Sequence, residues 1–305
     1  MSLDARLPEA GHLPRRLWWT LAGLTLAWGF NWTAIKVALG GVSPLTFRTL
    51  CLAVGCAVLF GVARAGGQSL AVPKGQWPRL ALLAFFNVTC WNALVVFGMT
   101  MIPSGRAAIL AYTMPAWAIP LSAWLLGERI NGRKLTGLVL GMAGMALLIG
   151  EGAAGLRAAP LGSLLVLAAA LSWALGTVLQ RRYPVALPPA PYTAWMMLLG
   201  GVPIFAGTFL LEDPGRLASI GLWPALGVLY NVLIAFAFAQ WAWIRIATTV
   251  PVAVSSLSML MIPVLGVFSG MVFLGEHPSW AEYVALALVL GSLLTVVLPQ
   301  RARVG

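Results

Sequence analysis

The sequence predicts an all-α membrane protein with ten transmembrane helices, built as an inverted five-plus-five repeat with both termini cytoplasmic. Three observations carry this expectation. Of the 305 residues, 60% are hydrophobic and 9% charged, whereas a soluble domain is about 25% charged. The apolar residues gather into stretches of about 20, the length a helix needs to span a bilayer. The second half of the chain also repeats motifs of the first at a nearly constant offset.

In chain order the stretches cover 17–39, 44–63, 79–100, 104–126, 134–150, 161–181, 191–211, 221–244, 251–274 and 281–299. The first follows Arg6, Arg15 and Arg16 as a secretion signal would. It is too long for the apolar segment of a signal and lacks a small-residue cleavage site, so a retained helix is expected. Connections are short and rich in Gly and Pro. Lys and Arg then set the orientation. With a cytoplasmic N-terminus, Lys36, Arg48, Arg106, Arg157 and Arg216 fall outside and the other basic residues inside. The net charge of +11 is thus read as topology, because the basic residues are scattered and form no patch for nucleic acid.

An offset of 148 pairs Pro103 with Pro251, Pro115 with Pro263, and Leu126-Gly127-Glu128 with Leu274-Gly275-Glu276. Nearer the start of each unit, an offset of 144 pairs Asn87 with Asn231, and 145 pairs Trp28 with Trp173 and Lys36 with Arg181. Five helices per unit is an odd number, so the second copy must thread the membrane upside down. The expected organisation is a cytoplasmic tail over 1–16, a first repeat over 17–152, a second, inverted repeat over 153–299 and a cytoplasmic tail over 300–305. Inverted repeats are a construction of secondary transporters, which hold substrate near the midplane at the repeat interface.

Polar and aromatic side chains near span centres face the bundle interior, because lipid offers no hydrogen-bond partner. Candidate substrate-binding residues are Trp28, Asn31 and Trp32 in the first span, Asn87 and Trp91 in the third, Tyr112 in the fourth, Trp173 and Thr177 in the sixth, Asn231 in the eighth, and Ser255 and Ser258 in the ninth. The alternative for each asparagine is a hydrogen bond to a neighbouring helix as packing glue. Pro115 and Pro263 are expected to shape the cavity, since each deprives the carbonyl four residues earlier, Ala111 or Met259, of its donor. Gly137, Gly141 and Gly144 assign the fifth span, with the tenth, to packing or an oligomer seam.

All eight carboxylates and both histidines lie in tails, loops or span ends. No buried proton relay is visible, which points to a facilitator driven by its substrate's gradient. Lys36, Arg48 and Arg106 stand near the outer ends of their spans. Snorkelling of these long side chains to the interface is the favoured reading there, ahead of a role in holding a substrate carboxylate. Cys51, Cys56 and Cys90 lack metal-ligand spacing, so no metal or other cofactor is expected. The G-x-G-x-x-G match at Gly150–Gly155 lacks a preceding strand and is treated as chance. Without clustered Cys, His or Asp at one depth, an embedded enzyme has no visible catalytic set.

Trp28-Gly29-Phe30-Asn31, Pro44 with Phe47-Arg48, and the proline to Leu-Gly-Glu segments ending at Glu128 and Glu276 together resemble the EamA-type branch of the drug/metabolite transporter superfamily. The resemblance covers nearly the whole chain and is greatest to bacterial exporters of aromatic and other hydrophobic amino acids. It implies cytoplasmic termini, a five-plus-five inverted repeat and a central cavity. The expectation is therefore a carrier of the bacterial inner membrane that exports amino acids by alternating access and performs no chemical step. Its partners are a small-molecule substrate and the bilayer, with the Gly-rich helices offering a seam for self-association that a monomer would not need. The rival within transport is an exporter of drugs or quaternary amines, whose cation prefers aromatic faces.

Overall fold

The computed structural model describes residues 15–155, 159–249 and 252–297, with side chains described for these except at 151–155, 159, 216, 247–249, 252–259 and 296–297. All regular elements among them are helical. Helix α1 runs as Arg15–Gly29 and resumes as Asn31–Leu39. It is followed by α2 (Pro44–Ala65), α3 (Trp77–Met101) and α4 (Ser104–Leu126). Next come α5 (Gly132–Gly155), α6 (Ala159–Arg182) and α7 (Pro189–Leu211). After a 3₁₀ turn at Pro214–Ser219 come α8 (Leu222–Ile246), α9 (Val252–Leu274) and α10 (Trp280–Val297). Helices α2 to α8 are each long and apolar enough to cross a membrane, while α9 and α10 contribute the shorter apolar stretches Leu260–Leu274 and Trp280–Thr295.

The repeated Leu-Gly-Glu motif has a local cause. Gly127 and Gly275 adopt φ of 68° and 64°, a left-handed conformation that costs glycine little and ends a helix. The next backbone N–H then folds back, from Glu128 to the Ser122 carbonyl and from Glu276 to the Gly270 carbonyl. This leaves the glutamate side chain free to reach another helix. The Glu276 carboxylate accepts from the backbone N–H groups of Ser104 (2.6 Å) and Gly105 (3.0 Å) at the start of α4, where the helix dipole favours an anion. Glu212 does the same for Leu45 and Thr46 at the start of α2.

Packing follows the duplication. Helix α2 lies along α7 and α5 along α10, while α3 meets α6 as α1 meets α8, and α4 meets α6 as α1 meets α9. Each contact maps onto another, or onto itself, when the halves are exchanged. Small residues allow the closest approaches: Gly98 and Gly162 bring α3 and α6 together, and Gly227 lies against the backbone of Ala34 and Ala38 in α1. Gly137 and Gly144 face α10, and Gly141 faces α10 and Ala116 of α4. These glycines are thus taken up as packing within the chain. The largest apolar core unites Trp32, Phe47, Val95, Ile109, Tyr112, Ile262 and Val289, with Trp28, Trp91, Trp117 and Phe236 packed against it.

Candidate functional site

Asn87 lies within a π-helical segment, Phe85–Cys90 of α3, and Asn231 within another, Tyr230–Phe238 of α8. The offset of 144 relates the two. A π turn widens the helix and withdraws carbonyls from the i to i+4 ladder, and such turns gather at functional sites. The partners of the freed carbonyls come from the opposite repeat. Ser172 of α6 donates to the Phe86 carbonyl at 2.8 Å, and the Trp28 indole N–H of α1 donates to the Ala235 carbonyl at 3.3 Å. On its other side the α3 segment is held by Thr89, which donates to the Gly200 carbonyl of α7 at 2.7 Å.

Both asparagines are buried, Asn231 completely. The Asn231 amide N–H₂ donates to the Gly227 carbonyl of its own helix at 3.0 Å. The Oδ1 atoms of Asn31, Asn87 and Asn231 are shut from solvent and accept no hydrogen bond from the described residues. Such orphaned acceptors are rare in folded proteins because each forfeits its hydration. Asn87 rests on Gly176 of α6, where an added Cβ would come within 2.5 Å of the amide. By the offset of 145, Asn31 of α1 occupies the place that Gly176 has in α6.

The tryptophans pair across the same seams. Trp91 and Trp173 are 5.0 Å apart between ring centroids, and Trp28 stands 5.7 Å from Trp243. Trp28 is the counterpart of Trp173, and Ala235 that of Trp91, so each repeat sets one indole against the π-helical segment of the other or the residue that follows it.

The remaining sequence candidates are distributed differently. Trp32 is a filled core position beside Gly266 of α9. Tyr112 is buried where α4 breaks between Ala111 and Met114, just ahead of Pro115, as the lost donor predicts. Helix α9, in contrast, continues through Pro263. Thr177 is exposed and returns its hydroxyl to the Trp173 carbonyl one turn earlier. Ser255 and Ser258 fall outside the described side chains.

Two residues enter that sequence reasoning passed over. Trp243 lies two helical turns beyond Ala235, a spacing that could have flagged it. Trp117 holds its indole N–H buried without an acceptor among the described residues. For Arg48, the snorkelling expectation of the sequence needs correction. Arg48 is 3% exposed, with its guanidinium over the rings of Phe47 (5.0 Å) and Phe236 (5.7 Å). Lys36 and Arg106 also turn inward: Lys36 donates to the carbonyls of Met99 (2.6 Å) and Ile102 (2.9 Å), and Arg106 pairs with Glu282 at 2.7 Å.

At the other end of α4, Glu128 pairs with Lys134 (2.8 Å) and Arg181 (2.6 Å). The hydrogen bond from Lys134, followed by the hydrogen bond and charge of Arg181, holds its carboxyl below the usual carboxylate range. Cys51 and Cys56 are buried free thiols and Cys90 is half-buried. The described residues contain no cluster of His, Cys, Asp and Glu suited to a metal ion.

Among the described residues, unsatisfied amide oxygens and paired indoles thus occur on the helices where the two repeats meet. Comparison with known proteins agrees with a transport role. The uncharacterized transporter YoaV of Bacillus subtilis is 26% identical over 90% of this chain and 92% of its own. A probable amino-acid metabolite efflux pump of Escherichia coli is 27% identical over 92% of this chain and 94% of its own. The aromatic amino acid exporter YddG of Ancylobacter novellus is 26% identical over 92% and 98%. A solved crystal structure shares the fold, with a TM-score of 0.63 at 23% identity over 93% of this chain and 97% of that one. The sequence profile of the EamA-like transporter family matches twice, over residues 17–150 and 160–298, one match per repeat, and the chain belongs to that family.

Proposed function

We propose that the protein exports aromatic and other hydrophobic amino acids across the bacterial inner membrane by alternating access. In this reading all ten helices span the bilayer with both termini cytoplasmic, and the second five-helix unit is inverted relative to the first. The observation that carries the proposal is the trio of buried, unpartnered amide oxygens on Asn31, Asn87 and Asn231. Three acceptors with no donor suit an ammonium group, which brings three N–H donors and no acceptor. Trp28, Trp91 and Trp173 then supply apolar faces for the side chain of the solute, and Pro115 and Pro263 shape the chamber. Trp32, Tyr112 and Thr177 are the further candidates for the lining, and Ser255 and Ser258 lie outside the described side chains.

Glu128, Glu212, Glu276 and Glu282 are engaged at helix ends by N–H groups or cations. None of these four sits at the midplane as a proton relay would, which supports transport down the substrate's own gradient. The relatives named for amino-acid efflux and aromatic amino acid export support the substrate class. The paired indoles favour a second reading, export of apolar cations.

The test is uptake of labelled phenylalanine, tryptophan and leucine into liposomes holding the purified protein, with Asn87→Ala and Trp91→Ala as controls. Uptake by the wild type that both variants lose, without an imposed pH gradient, is the expected result. Competition by cationic dyes but not by phenylalanine would move the assignment to the second reading, and normal uptake by both variants would remove the site.

A further inference from the structure

Arg48 is a buried cation with no counterion among the described residues. Neither a hydrogen bond nor an ion pair joins it to any described residue, and its Nε is sealed from solvent without an acceptor. Glu212, the acid nearest its own helix start, is committed to the backbone of Leu45 and Thr46 and to the Thr46 hydroxyl. The partners that Arg48 has are aromatic. Phe47 and Phe236 lie against the guanidinium at 5.0 and 5.7 Å, and cation–π contact engages the faces of the ion while leaving its in-plane N–H donors unspent.

A desolvated guanidinium keeps its charge, because arginine does not deprotonate in proteins. Leaving such a charge unpaired is among the most costly things a fold can do. The arrangement is therefore that of a receptor awaiting an anion, and planar N–H donors on a fork match a carboxylate in bidentate fashion. Phe236 fixes the location. It belongs to the π-helical segment of α8 that carries Asn231, its ring packs on the core that also takes Trp28 and Trp91, and Gly55 of α2 lies against it.

We propose that Arg48 is the carboxylate-binding residue of the transport site and restricts the carrier to solutes bearing a carboxylate. This rests on the reading of Asn31, Asn87, Asn231 and the tryptophans as that site. The amide oxygens take the ammonium group, the indoles the apolar side chain and Arg48 the carboxylate, so an α-amino acid meets a partner for each of its parts. A cation without a carboxylate finds a buried positive charge in its way.

The wild type is tested first, by thermal stabilisation in detergent and by uptake into liposomes, using L-phenylalanine and L-phenylalaninamide, with benzoate and indole-3-acetate against their amides. The acids are expected to stabilise the protein and the amides at least twentyfold less well by midpoint concentration. Arg48→Gln should abolish that preference and lower phenylalanine uptake more than tenfold, while Arg48→Lys keeps part of both. Equal response to acid and amide in the wild type overturns the proposal, and does so even if Arg48→Gln fails to fold. So does a folded Arg48→Gln protein that keeps the preference. Carboxylate preference for benzoate and indole-3-acetate without phenylalanine transport would retain Arg48 as an anion site and remove the amino-acid reading. Phenylalanine transport indifferent to Arg48 would do the reverse, and a wild type that responds to none of the compounds overturns both.

Discussion

The amide of Asn87 lies directly on Gly176, so close that a single methyl group on the α6 backbone would overlap it. The glycine is what lets a π-helical segment of α3 present a polar side chain at this depth. Gly176→Ala is accordingly expected to push the amide away from its position with a stability cost of about 1–3 kcal/mol, the usual range for overpacking. Phenylalanine uptake should fall at least tenfold while the protein remains folded and monodisperse in detergent. Unchanged uptake alongside a lowered melting temperature would separate Asn87 from substrate handling.

The π-helical geometry around Asn87 depends on Ser172, whose hydroxyl satisfies the Phe86 carbonyl at 2.8 Å. Ser172→Ala leaves that carbonyl without its donor, which costs about 1–3 kcal/mol for a buried group. Ser172→Cys retains a weak donor of similar size. The expected order of melting temperature is wild type, then Ser172→Cys, then Ser172→Ala, with amide exchange in 85–90 rising in the same order. An identical exchange pattern in all three would show that the segment holds its shape without Ser172.

Much of the frame was legible because it rests on local chemistry. The Leu-Gly-Glu repeats marked corresponding span ends in the two units, Pro115 marked the break in α4, and the offset of 144 placed Asn87 and Asn231 in matching segments. Two features were not. Nothing in Phe85–Cys90 or Tyr230–Phe238 spells a π helix, since the widened turn is selected by partners on other helices, Ser172 and Trp28, rather than by propensity. Arg48 misled for a related reason. Its place near the start of an apolar stretch reads as an interfacial anchor, and only the arrival of Phe236 from the other repeat turns that position into interior. Trp32 and Trp28 are one helical turn apart and read alike, yet Gly266 of α9 admits Trp32 fully into the core and leaves Trp28 half-buried.

Arg106 and Glu282 tie α4 to α10 with both side chains nearly buried, 11% and 8% exposed. The second carboxylate oxygen of Glu282 accepts from the Ser279 backbone N–H at 3.0 Å, and the Ser279 hydroxyl accepts from the Glu282 N–H at 3.2 Å, a capping box that starts α10. Glu282→Gln takes the anion away from a desolvated guanidinium and is expected to destabilise by about 3–5 kcal/mol. Ser279→Ala removes only the cap, for about 1 kcal/mol. Coupling Arg106→Met with Glu282→Gln should recover most of the loss. A double variant as unstable as the sum of its parts, by denaturant titration, would show that the pair is not coupled.

Glu128 gives the protein a dependence on acid. Lys134 first and Arg181 second hold its carboxyl below the usual range, so the ionised form is favoured more in the folded state than in the unfolded one. A depressed pKa adds stability that is present above the ordinary carboxylate range and is lost as pH falls through the lowered value. Glu128→Gln should therefore melt below the wild type at about pH 7, and the two curves should converge as the pH drops under the ordinary carboxylate range near 4. The gap is expected to be modest and to shrink with salt, because the Arg181 side chain is 60% exposed and exposed pairs are screened. A difference in melting temperature that stays constant from neutral to acid pH would show that the substitution acts through packing rather than through the charge of Glu128.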